Sequence, residues 1–295
     1  MQLNNIKGFL SGLLSSASFG LIPLFAVPVM RQGMGFDSVL FYRFFFACIA
    51  LGCFLLVTRQ TFRITLRQLR SLILLAVFYD LSALFLFWGY TFMASGVATT
   101  IHFMYPVLTT LIMMIFFGEK KSFYRILAVV LAVGGVFCLS CGDTANEVSL
   151  IGTFIVLLSA LAYALYLVAV NQLHLDGMGG LKLTFYVFLI GGALLLIFIS
   201  FNTGLQPIED WETGQSLILL ALIPTVVSNL ALVQSLKYIG STLTSVLGAM
   251  EPVTAVFVGI TVFGEALTAH TTLGILLIIS AVLIIIVHRS FSKCE

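Results

Sequence analysis

The sequence predicts an all-α membrane protein: ten transmembrane helices forming two inverted five-helix repeats around a central cavity. Three observations predict it. Hydrophobic residues make up 60% of the chain and charged ones 9%, with a mean hydropathy of +1.15, more apolar matter than a soluble core can bury. Apolar runs of roughly 20 residues follow one another, each long enough to cross ~30 Å of hydrocarbon as a helix. The second half also repeats the first without gaps over long stretches.

The runs are taken in order. Residues 8–30 carry Gly8 and Gly12 at helical spacing, small enough to let another helix approach closely in lipid. This run lacks the short apolar core and small-residue cleavage site of a signal peptide, so it reads as a retained helix. Residues 38–57 open on Phe41-Tyr42-Arg43-Phe44. Residues 71–92 hold Tyr79, Asp80 and Trp88, and residues 95–117 hold His102, Tyr105 and Pro106. The connection at Ala94-Ser95 is very short, which makes those two runs an antiparallel hairpin. Residues 122–140 close the first set; Cys138 and Cys141 at their end have CxxC spacing, but no second pair or nearby His completes a metal set. The second set runs 150–171 with Tyr163 and Tyr166, 181–201, 215–237 with Ser228 and Asn229, 240–263 with Glu251-Pro252, and 269–288. Ile239-Gly240 is again a hairpin-length connection. The division is a first repeat over 1–141, an extracytoplasmic linker over 142–149 and a second repeat over 150–290.

The duplication is explicit. At an offset of 144, Gly8 meets Gly152, Leu13-Leu14-Ser15 meets Leu157-Leu158-Ser159, and Phe41-Tyr42 meets Phe185-Tyr186. At an offset of 146, Met104-Tyr105-Pro106-Val107 meets Met250-Glu251-Pro252-Val253, and Phe117-Gly118-Glu119 meets Phe263-Gly264-Glu265. Duplication of this length in a hydrophobic chain points to a solute transporter, whose substrate sits between the repeats.

Basic residues set the orientation, because they accumulate in short cytoplasmic loops. With both termini inside, Lys7, Arg59, Arg63, Arg67, Arg70, Lys120, Lys121, Arg125, Lys182, Lys237, Arg289 and Lys293 all fall inside, and Arg31 falls outside. The acidic Glu209, Asp210 and Glu212 occupy the loop equivalent to Arg59–Arg70 but lie outside. Equivalent loops thus face opposite ways, as an odd number of helices per repeat also requires. The net charge of +2 is a topology signal, and scattered basic residues give no nucleic-acid surface.

Ionisable groups deep in a spanning helix are costly and mark candidate sites. Glu251 stands out, because Pro252 after it removes a helical hydrogen bond and frees a carbonyl. Thr244, Gly248, Glu251 and Ala255 share one helix face, and their equivalents Ala98, His102, Tyr105 and Thr109 share another. Two such faces turned to a common axis place substrate-binding or coupling groups at Glu251, His102 and Tyr105; a purely structural Glu251 would instead bond to Asn229, Ser228 or a tyrosine. Asp80 is either a further coupling group or the partner of Arg43 in a buried ion pair between adjacent helices. Tyr79, Tyr163, Tyr166, Trp88 and Phe19 are candidates for the cavity wall or for lipid-facing positions. Glu119 and Glu265 each follow a glycine at a helix end and read as caps.

Two Pro-x(11)-Gly-Glu blocks, Pro106 to Gly118-Glu119 and Pro252 to Gly264-Glu265, together with Glu251-Pro252 and Phe41-Tyr42-Arg43-Phe44, resemble the EamA-type ten-helix members of the drug/metabolite transporter superfamily. The resemblance covers essentially the whole chain. It implies a five-plus-five inverted repeat in a bacterial inner membrane, exporting or importing small metabolites such as amino acids, with amino-acid export as one reading. The first repeat departs from the pattern by placing Tyr105 before its proline, which leaves Glu251 as the carboxylate. The reading is a secondary transporter working by alternating access on a small polar or amphipathic solute, with no cofactor and no ATP-binding loop. A proton or another coupling ion would act through Asp80, Glu251 and His102, whereas a facilitator would need none. The competing reading is an intramembrane lipid-modifying enzyme with those three residues as acid and base; no cluster near an interface favours it.

Overall fold

A computed structural model of the chain describes residues 2–118, 123–140, 149–173, 175, 178–202 and 204–291, and every regular element among them is helical. In order they are α1 (Gln2–Gly20), α2 (Ile22–Arg31), α3 (Phe36–Val57), α4 (Leu66–Gly89), α5 (Ser95–His102), α6 (Tyr105–Phe116), α7 (Phe123–Ser140), α8 (Leu150–Gln172), α9 (Gly180–Phe201), α10 (Trp211–Ala221), a π-helical stretch Leu222–Val227, α11 (Ser228–Leu247), α12 (Met250–Phe263) and α13 (Ala269–Phe291). Seven runs are long and apolar enough to span a membrane: Ile6–Arg31, Phe36–Val57, Leu66–Gly89, Ser95–Phe116, Leu150–Val170, Gly180–Phe201 and Trp211–Ile239. Phe123–Leu139, Met250–Phe263 and Ala269–Ile285 are shorter apolar helices. Large apolar side chains such as Phe45, Ile49, Phe137, Phe198 and Phe257 point outward along them, as a lipid-facing surface requires. The protein is an all-helical, multi-pass membrane protein.

Proline chemistry explains where the spanning runs depart from single helices. The chain leaves regular helix at Leu21, at Phe103-Met104, over Leu222–Val227 and at Gly248-Ala249, with Pro23, Pro106, Pro224 and Pro252 in or just after those places. A proline supplies no N–H and crowds the preceding turn, so the ladder is interrupted there. The i, i+4, i+7, i+11 face expected over Ala98–Thr109 is therefore divided between α5 and α6, and that over Thr244–Ala255 between α11 and α12. The run α11 also reverses direction within itself. Ser235 Oγ and Thr244 Oγ1 lie 2.8 Å apart, whereas nine residues of straight helix would separate them by about 13.5 Å.

Polar residues fix the helix starts. α4 begins five residues before the apolar run because Thr65 and Gln68 form a capping box: the Gln68 N–H donates to Thr65 Oγ1 at 3.2 Å and the Thr65 N–H to Gln68 Oε1 at 2.9 Å. Ser149 caps α8 and Asp210 caps α10. Hydrogen bonds from the Thr213 N–H and hydroxyl hold the Asp210 carboxyl below its ordinary range.

Elements from before and after residue 141 interlock. α1 lies along α11, with Gly8 against Tyr238 and Ile239 and Gly12 against Ser235 and Leu247, so these glycines do permit close approach. α7 pairs with α13, α4 with α8 and α9, α3 with α9 and α10, and α5 with α12.

Candidate functional site

The helix interruption at Leu21 meets the one at Gly248-Ala249 beside Glu251. Its backbone carbonyl faces Gly20, at the end of α1, where a Cβ would collide with it. α12, whose first turn holds Glu251, also packs along α5, and a Cβ on Gly96 would come within 2.8 Å of the Val256 Cα. Broken helices meeting inside a bundle bring unpaired backbone groups and buried side chains together, the usual construction of a solute site in a membrane protein.

Tyrosines and His102 form the wall. Tyr105 meets Tyr163 edge-on with centroids 4.7 Å apart, and Tyr163 stacks on Tyr166 at 5.7 Å. Tyr79 lies edge-on to Tyr166 at 5.4 Å and continues the cluster to Phe188 and Phe44. His102 lies 5.7 Å from Tyr105 and 5.5 Å from Tyr163. Its tautomer follows from its neighbours. The Ser159 hydroxyl gives its one proton to the Ser82 carbonyl at 2.6 Å, so at 2.9 Å it accepts from His102 Nδ1–H, leaving Nε2 as an acceptor.

A buried carboxyl group and a buried guanidinium complete the site. Glu251 is 7% exposed, and its carboxylate accepts no hydrogen bond among the described residues. It lies within electrostatic reach of Tyr79, Tyr105, Tyr163 and Arg43. Asn229 and Ser228 do not satisfy it: Asn229 Nδ2 donates to the Thr225 carbonyl at 2.6 Å, and Ser228 bonds with Ser15. Arg43 is 2% exposed and stands over the rings of Phe19 and Phe87, 5.9 and 5.8 Å from their centroids.

The expected Arg43–Asp80 bridge is not formed. Arg43 Nε donates to Thr225 Oγ1 at 2.9 Å, and both Asp80 oxygens are buried without a hydrogen-bond partner. The π-helical stretch is the cause. Widening the helix around Pro224 turns the Thr225 hydroxyl towards α3, where it accepts from Arg43 and donates to the Leu220 carbonyl at 3.2 Å.

Glu251, His102, Tyr105, Tyr79, Tyr163 and Tyr166 thus come together, whereas Asp80, Trp88 and Asn229 lie elsewhere. Trp88 is 38% exposed near the end of α4, stacked on Phe36 and edge-on to Phe92, because two and a half helical turns separate it from Tyr79. Asn229 braces the π-helical stretch. Glu265 is a cap, but of α5 and not of the helix that follows it: its carboxylate accepts from Ser95 N and Ser95 Oγ at 2.7 Å and from Gly96 N at 3.2 Å. Glu119 and the linker 142–148 lie outside the described residues. Sequence reasoning missed Thr225 and Ser159. Pro224 signalled the first, whereas only the fold brings Ser159 to His102. A separate cleft of about 440 Å³ opens between Arg31, Tyr90, Met93, Ser95 and Glu265.

Residues 6–141 and 150–287 each match the model of the EamA-like transporter family. Two Bacillus subtilis (strain 168) relatives are named uncharacterized transporters. YoaV is 24% identical over 241 residues, covering 80% of this chain and 82% of its own. YcbK is 24% identical over 167 residues, covering 53% and 52%. A crystal structure aligns with 96% of this chain and 98% of its own at a TM-score of 0.66 and 15% identity, a likeness of fold alone.

Proposed function

We propose, from the premise that this chain belongs to the EamA-like transporter family, that it is a secondary transporter of small amphipathic zwitterions such as amino acids. It works by alternating access between two inverted five-helix repeats, 1–141 and 150–290. It sits in a bacterial inner membrane with both termini in the cytoplasm.

One observation carries the substrate class. Arg43 is a buried guanidinium and Glu251 a buried carboxyl group on opposite halves of the chain, within electrostatic reach of each other, and neither has an ion-pair partner among the described residues. A buried guanidinium without a counter-ion is unfavourable, and a buried carboxyl ionises readily only beside a cation, so the arrangement suits a ligand bearing both complementary groups. A solute carboxylate is drawn to Arg43 and its ammonium to Glu251, while the faces of Tyr79, Tyr105 and Tyr163 receive an apolar side chain. His102 Nε2 adds one acceptor.

Counterflow in proteoliposomes against a panel of amino acids, nucleosides and cationic drugs tests this. Zwitterionic amino acids should exchange above protein-free vesicles. Glu251→Gln should weaken their exchange roughly ten- to a hundredfold, the loss of one charge-assisted contact worth about 1.5–3 kcal/mol. Exchange confined to nucleosides or cations, or an unaltered Glu251→Gln profile, would reject the zwitterion reading.

A further inference from the structure

Asp80 lies midway along α4, 5% exposed, with both carboxylate oxygens buried and unpartnered. It is not in the tyrosine site but in the seam between α4 and α9. There it occupies the notch left by Gly191: a Cβ on Gly191 would collide with Asp80 Oδ1 and would lie 3.0 Å from Cγ and 3.1 Å from Oδ2. A carboxyl group therefore stands where a side chain of α9 would otherwise be. The notch is specific, because the backbone of α9 is reached only through a glycine.

Among the described residues, no charged or titratable group on the elements packed against α4 donates to Asp80. On α3, Arg43 donates through Nε to Thr225 while its Nη2 is buried without a hydrogen-bond partner, Asp37 accepts from the Ser38 N–H, Tyr42 donates to the Gln206 carbonyl, and Cys48 and Cys53 are free thiols. On α8, Tyr163 and Tyr166 belong to the aromatic wall, and on α5 His102 bonds to Ser159. On α9, Tyr186 donates to the Phe62 carbonyl and Lys182 to the Arg63 carbonyl. Tyr79 on α4 itself faces the wall. An ionised carboxylate with neither counter-ion nor donor is strongly disfavoured at such a place, and a protonated acid is not.

We propose that Asp80 is a proton-binding site of the transport cycle, taking up a proton as α4 closes on the Gly191 notch and releasing it to water when that seam opens. This rests on the transporter reading, since α4 and α9 stand on opposite halves that move against each other. The proton is exchanged with water, and no other bond is made or broken. The sign is fixed: the closed seam binds the proton more tightly than the open one, so acid favours closure and alkali favours opening.

Two measurements test it. In reconstituted protein at neutral pH, infrared spectra of the wild type should contain the carbonyl stretch of a buried carboxylic acid that Asp80→Asn lacks. Gly191→Ala, which evicts the carboxyl group from the notch, should diminish the same band. An identical band in wild type and Asp80→Asn overturns the assignment, whether or not a solute is known. In the flux assay an imposed pH gradient should drive wild-type accumulation of a counterflow substrate, while Asp80→Asn exchanges that substrate but ignores the gradient. A wild type that exchanges without responding to pH, or an Asp80→Asn variant that still responds, overturns the coupling role alone. A wild type that exchanges nothing in the panel removes the transport reading and the coupling role with it.

Discussion

Among the described residues Arg43 has no ion-pair partner. Its Nε donates to Thr225 Oγ1, its Nη2 is buried without a hydrogen-bond partner, and the faces of Phe19 and Phe87 lie against it. A hydrogen bond to a charged group contributes about 1.5–3 kcal/mol, more than the ~0.5–2 kcal/mol of a cation over a ring, so the hydroxyl is the larger anchor. Thr225→Val should lower stability in detergent by about 1–3 kcal/mol, while Thr225→Ser stays near wild type; equal melting of all three would show that the hydroxyl contributes nothing. Asp210 behaves differently because it is fully in water. Its carboxyl titrates below the ordinary range while it accepts from Thr213. The cap is therefore complete above the unfolded carboxyl's range and is lost as pH falls through the lowered folded value. Exchange of the Thr213 amide should accelerate in that acid window and not at neutral pH, and Asp210→Asn should abolish the acid dependence.

Element boundaries show what the sequence could and could not convey. Apolar runs and turn-length gaps located the spanning helices, because hydrocarbon thickness sets a length that composition reveals. They missed the polar first turn of α4, where the Thr65–Gln68 box extends the helix beyond its apolar stretch. Of the site, the matched faces over Ala98–Thr109 and Thr244–Ala255 point to Glu251, His102 and Tyr105, because proline and buried ionisable groups are local signals. Arg43's partner was misassigned because adjacency in sequence suggested Asp80, whereas packing of α3 against the π-helical stretch offered Thr225. Glu265 was legible as a cap but not as the cap of α5, whose start reaches it only through the packing of α5 against α12. Removing a cap of this kind costs about 0.5–2 kcal/mol. Glu265→Ala should therefore speed exchange of the Ser95 and Gly96 amides by up to roughly tenfold or more, with Glu265→Gln intermediate because it keeps one acceptor. Unchanged protection in both variants would mean that α5 holds its first turn without Glu265.

At the scale of the molecule, two hydrogen bonds support the inverted arrangement. Tyr42 of α3 donates to the Gln206 carbonyl at 2.9 Å, and Tyr186 of α9 donates to the Phe62 carbonyl. Tyr186 stands 144 residues beyond Tyr42 and Gln206 stands 144 beyond Phe62, the offset read from the sequence. Each half thus uses the same tyrosine to hold the same loop of the other. A second echo is the hairpin bond between residues nine apart, Tyr90 to Thr99 at 3.1 Å and Ser235 to Thr244 at 2.8 Å. If the halves are inverted, the two tyrosine bonds lie at opposite faces of the membrane, one tying the outer ends of the halves and the other the inner ends. The loops they hold differ in charge accordingly, with Arg59 and Arg63 near Phe62 and Glu209 and Asp210 near Gln206. Single cysteines at the exposed positions Gln60 and Glu209, introduced after replacing the five native cysteines, should separate cleanly towards a membrane-impermeant thiol reagent. Glu209→Cys should react in intact cells, and Gln60→Cys only after the membrane is opened. Labelling of both from one side would mean that equivalent loops share a face, a geometry in which the two halves cannot be related by inversion.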